Sequence, residues 1–101
     1  MTTLALSDIL NDLRVAEEGL HKFEQRYWIS SEQFYQLYSQ GALDDGENSF
    51  DLAEWAGHYK LRQKRQNELE QLSQRRLDQL RQQSSAQPLH LRPAEPTLDL
   101  A

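Results

Sequence analysis

The feature that most constrains this chain is an unbroken stretch of helix-forming sequence from Phe50 to about Gln83, with no proline until Pro88. It reads Phe-Asp-Leu-Ala-Glu-Trp-Ala-Gly-His-Tyr-Lys-Leu-Arg and continues in Leu, Gln, Glu and Arg, residues that lose little side-chain freedom in a helix. At 1.5 Å per residue such a rod is roughly 50 Å long, more than the width of a domain this size. The expected fold is therefore all-α, and the remaining chain has to cover part of the rod.

The rod changes character along its length. Leu52, Trp55, Ala56 and Tyr59 fall on one face and predict a core, whereas Leu69, Leu72, Leu77 and Leu80 form a thin stripe among Gln and Arg. Upstream, Ile9, Leu10, Leu13, Ala16, Leu20 and Phe23 repeat at helical spacing and predict a helix from just after Ser7 to about Arg26. Gly19 interrupts it, marking either a close helix contact or a weak point. Ser30 and Gln33 have the spacing of a capping box, and Gly41 stands where a left-handed C-terminal cap would sit, so a second helix of about ten residues is expected between them. Asn48 or Ser49 can cap the rod.

These signals give a helical hairpin-like body of two shorter helices packed on one long C-terminal helix, with an extended proline-containing tail. The expected division is a body over 1–60 packed around Phe23, Trp28, Phe34, Leu37, Trp55 and Tyr59, a protruding rod over 61–84, and a flexible tail over 85–101. All three prolines lie in that tail. With 38% hydrophobic residues the core is thin, so self-association or a partner would help to stabilise it.

The net charge of -5 conceals an asymmetry. Residues 1–57 carry eleven acids against Arg14, Lys22 and Arg26, while residues 58–101 carry eight bases against five acids. An acidic half steers toward a basic partner. The chain has no cysteine, its first eight residues carry no basic segment, and no apolar run approaches the roughly 20 residues that span a bilayer. A cytoplasmic protein without membrane insertion is expected.

No catalytic motif is present in the sequence, neither a nucleophile elbow nor a phosphate-binding glycine loop nor H-E-x-x-H, and no enzymatic activity or cofactor is expected. Glu18 with His21, and Glu54 with His58, have helical metal-ligand spacing, but a di-metal bundle needs more inward carboxylates, and solvated faces are the simpler reading. Lys60, Arg62, Lys64 and Arg65 could touch nucleic-acid phosphates, although the interleaved acids favour an ion-paired helix surface. Of the aromatics Trp28, Tyr35, Tyr38, Trp55 and Tyr59, most are expected in the core, with one or two left for a partner. The expected partner-binding residues are Leu61, Leu69, Leu72, Leu77 and Leu80 on the rod and Leu89, Leu91, Leu98 and Leu100 on the tail. The rod leucines would equally serve a homodimeric coiled coil, which suits an adaptor, while a DNA-binding regulator is the minority reading.

One pattern goes beyond these generalities: Tyr27-x-Ile-Ser-Ser-Glu-x-Phe34, then Tyr38-x-x-Gly41-x-Leu-Asp-Asp, then Asp51-x-x-Glu54-Trp55-x-x-x-Tyr59. It resembles small helical antitoxin-like proteins of bacterial and archaeal toxin-antitoxin pairs over about residues 23–65. The resemblance implies a chain that binds and neutralises a nuclease-type protein toxin encoded beside it, by direct occlusion. The matching positions are capping and packing residues, and the chain departs from the pattern at Gly57 and in its proline-containing tail.

Overall fold

The computed structural model describes residues 2–43, 46–83, 88, 89, 91, 93 and 97–100. It is all-helical apart from a short ribbon at its ends. Strand β1 (Thr2–Ala5) leads directly into helix α1 (Leu6–Tyr27); α2 (Ser31–Ser39) and the 35-residue α3 (Ser49–Gln83) follow, and β2 (Thr97–Leu100) pairs antiparallel with β1, with Leu4 opposite Leu98. Helices α1 and α2 pack on α3, as the hydrophobic spacing requires.

Local chemistry accounts for the helix ends. Ser30 Oγ accepts the Gln33 N–H at 3.2 Å and caps α2. The helix closes in a Schellman arrangement, in which Gly41 at φ 68° donates to the Tyr38 carbonyl and Ala42 donates to that of Leu37. At the start of α3 the Asn48 carbonyl takes the first helical bond, from the Leu52 N–H. Helix α1 begins slightly earlier than its spacing predicts, because β1 runs straight into it at Ala5 and no side chain caps it.

The α1–α3 pair is an antiparallel hairpin in constant register. Tyr27 meets Asp51, Lys22 meets Glu54, Gly19 meets His58, Glu17 meets Arg62, Asp12 meets Arg65, and Ile9 packs on Leu72. Gly19 thus marks a close helix contact: a Cβ there would stand 2.5 Å from His58 Nε2. The 22 residues of α1 reach far along α3, so the body extends to Leu72 rather than stopping near residue 60.

Two apolar clusters hold this arrangement. At one end Leu20, Phe23, Phe34, Leu52, Trp55 and Ala56 form the larger, with Tyr35, Tyr38 and Tyr59 packed around it; at the other Ile9 and Leu72 are joined by Leu6, Leu13 and Leu69. Trp55 is the junction of all three helices, stacked on Phe34 of α2 at 3.8 Å between ring centroids and on Phe23 and Tyr27 of α1 at 5.7 and 5.6 Å. The result is elongated, with a radius of gyration of 18.0 Å, against about 13 Å for a compact domain of this length. Much of the expected flexible tail, residues 85–87, 90, 92, 94–96 and 101, lies outside the described residues, as does residue 84 at the end of the expected rod.

Candidate partner-binding surface

The Ser-Ser-Glu and Glu-Trp segments meet in a buried polar chain. Ser31 is fully buried; its backbone N–H and its hydroxyl both donate to Glu24 Oε2, at 3.0 and 2.7 Å, and its Oγ accepts the indole N–H of Trp55 at 2.9 Å. Burial alone would raise the Glu24 carboxyl, but the bonds from Ser31 and from His21 outweigh it and hold its pKa below the ordinary value. Nearby, Tyr27 donates to Asp51 Oδ2 at 2.6 Å, which pushes the phenol pKa up. All of these groups tie α1, α2 and α3 together. The network is structural.

Two arginines of α3, Arg62 and Arg65, are turned inward. Arg62 reaches Glu17 and Glu32 at 3.3 and 2.6 Å, and Arg65 reaches Asp12 and Glu68 at 2.7 and 2.6 Å, with only 13% and 17% of the two side chains exposed. These carboxylates raise both guanidinium pKa values despite partial burial. Arg62 and Arg65 therefore do not present a phosphate-binding face; of the four bases singled out in the sequence, Lys60 and Lys64 are the exposed ones. The charge asymmetry between the halves is answered within the chain to this extent. Glu68 is buried, and its second carboxylate oxygen has no hydrogen-bond partner.

The leucine stripe divides in the same way. Leu72 is 3% exposed against Ile9 and is closed to a partner, and the half-buried Leu69 packs on the same cluster. The covering residues come from the first turns of α1, some sixty residues away in sequence. Leu61, Leu77, Leu80 and Leu89 are partly buried, and Leu91 is exposed. Leu98 and Leu100 belong to β2, whose backbone pairs with β1. Of the metal-spaced pairs, Glu18 goes to Arg14 at 2.7 Å and His21 to Glu24 at 2.9 Å, while Glu54 meets Lys22 at 3.1 Å and also lies 3.9 Å from His58 Nε2. Among the described residues no group of three or more His, Cys, Asp or Glu is placed to hold a metal, and no helix is long and apolar enough to cross a membrane.

What stands open is the aromatic end. Trp28, expected in the core, is 91% exposed, and so is Phe50. Position 28 falls off the buried stripe Ala16–Leu20–Phe23, and there the chain leaves α1 in the left-handed conformation, φ 62° and ψ 37°, with the Trp28 N–H donating to the Glu24 backbone carbonyl at 2.8 Å. That conformation costs a residue with a side chain roughly 1–2 kcal/mol. Trp28 follows Tyr27 and Phe50 precedes Asp51, so the Tyr27–Asp51 bond brings both aromatics to the same end of the body. Between the helices at this end opens a cleft of about 590 Å³, bordered by Trp28, Ile29, Leu37, Leu43 and Leu52 and reaching the rings of Phe34 and Trp55.

No protein-family model, curated protein or solved structure matches the chain. The site is thus described by its own geometry. Sequence reasoning placed Trp28 in the core because aromatic side chains in a small protein are usually core, and made no assignment for Phe50; the signal that finds Trp28 is its position beyond the end of α1 and off the buried stripe.

Proposed function

We propose that this chain is a non-enzymatic binding protein, the antitoxin-like member of a toxin-antitoxin pair, and that it silences a basic, nuclease-type toxin by covering its working surface. The observation that carries this reading is the aromatic end. Trp28 lies in solvent on the rim of an open apolar cleft and Phe50 is equally exposed at the same end, and a monomer gains nothing from exposing them there. From Tyr27 to Tyr59 the sequence has six acids and no Lys or Arg. Such an end attracts a basic protein and repels phosphate.

The same features weigh against the rival readings. A coiled-coil adaptor would need its leucine stripe free over several heptads, and with Leu69 and Leu72 held by α1 the open remainder is short. A DNA-binding role would be left with Lys60 and Lys64 of its four candidate bases, since Arg62 and Arg65 are engaged with carboxylates of the same chain. Purification of the chain together with the product of its adjacent reading frame tests the proposal. Association, with loss of the toxin's nuclease activity in the mixture, is expected; no association, or undiminished activity, contradicts it.

A further inference from the structure

We infer that the cleft beside Trp28 is a docking site for an apolar segment flanked by Lys or Arg on a protein partner, with Trp28 as its principal anchor. This rests on the reading of the chain as a binder of a basic protein, and names what that partner presents. Trp28 occupies a left-handed cap position where glycine would be relaxed, and at 91% exposure it recovers nothing by burial within its own chain. A bulky ring held at such a position is useful only if something else covers it. The neighbouring cleft has the volume to take large apolar side chains, with Ile29, Leu37, Leu43 and Leu52 on its walls, and Gln33 and Asn48 supply polar groups for a bound backbone.

Charge selects the flanking residues. Glu32, Asp51 and Glu54 are matched by Arg62, Arg26 and Lys22 of this chain. The connector that contributes Leu43 and Asn48 to the cleft carries Asp44, Asp45 and the exposed Glu47 in its sequence, with no base. An apolar segment entering beside Leu43 and Asn48 therefore passes the exposed Glu47, and Lys or Arg beside it complements that charge. A second copy of this chain would bring its own acidic end to the same place.

The test is calorimetric titration of the full chain with an amphipathic Leu/Lys peptide and with its Leu/Gln counterpart, on wild type, Trp28→Gly and Phe50→Ser. The Leu/Lys peptide is expected to bind wild type roughly tenfold more tightly than the Leu/Gln peptide, and to lose about tenfold or more on Trp28→Gly, with a smaller loss on Phe50→Ser. Trp28→Gly is also expected to unfold at a higher temperature than wild type, since it relieves the left-handed strain. Equal binding of the two peptides, or unchanged binding by Trp28→Gly, overturns the site. So does a wild-type dimer that Trp28→Gly converts to monomer, because the occupant would then be a second copy. Peptide binding as expected, without association to the adjacent gene product, keeps the site and removes the antitoxin reading; association that Trp28→Gly leaves intact does the reverse.

Discussion

Ser31 shows how one small side chain can hold three helices. Its hydroxyl satisfies the Trp55 indole N–H and donates to Glu24, so Ser31→Ala leaves a buried donor unpaired and is expected to cost about 2 kcal/mol, measured by urea unfolding. The same variant should change the pH dependence of stability. Because the Glu24 pKa is depressed in the folded chain, its contribution is complete above the ordinary carboxyl value of 4.5 and is lost as the pH falls through the folded value. Ser31→Ala removes the main cause of that depression, and the acid side of the stability profile should flatten; an unchanged profile would show that Glu24 does not report on this network. Gly19 gives a second case. Alanine is favoured over glycine in a helix by about 1 kcal/mol, yet a Cβ here meets the His58 ring, so Gly19→Ala should destabilise wild type and stabilise a His58→Ala background. A double-mutant cycle reads the reversal of sign directly. At this scale the sequence revealed only what is local: Ser30 and Gly41 announce caps through spacing of a few residues, whereas the partners of Ser31 and Gly19 lie 24 and 39 positions away in α3. Trp28 was misassigned to the core because its aromatic character was weighed above its position beyond the end of α1.

The elements themselves were legible, since the three helices follow from hydrophobic spacing and caps, but how far α1 covers α3 was not. Once Tyr27 is opposite Asp51, the length of α1 brings its first turns to Leu69 and Leu72. Nothing in the stripe of α3 alone reveals this, because a thin stripe facing an in-chain helix and one facing a second chain look alike. The difference is measurable. Leu72→Ala should cost about 3 kcal/mol by denaturant unfolding, while Leu80→Ala, only partly buried, should cost much less. Equal losses that grow on dilution would instead place both leucines in a dimer interface.

The whole molecule is polar in two senses. Opposite charges on α1 and α3 are matched across the antiparallel hairpin, and the exposed large aromatics gather at the end where α1 stops and α3 begins. An acidic half and a basic half in the sequence suggested complementary surfaces for other molecules; folding them against each other consumes part of that potential and leaves the exposed Glu47 and the neighbouring apolar cleft. The account therefore locates recognition at the aromatic end and assigns the Leu69–Leu72 part of the rod to the body. Hydrogen–deuterium exchange of the full chain, alone and with the product of the adjacent reading frame, tests this most directly. The account predicts new protection at residues 27–29 and 46–52 with little change over 73–83; protection confined to 73–83, with 27–29 unchanged, would contradict it.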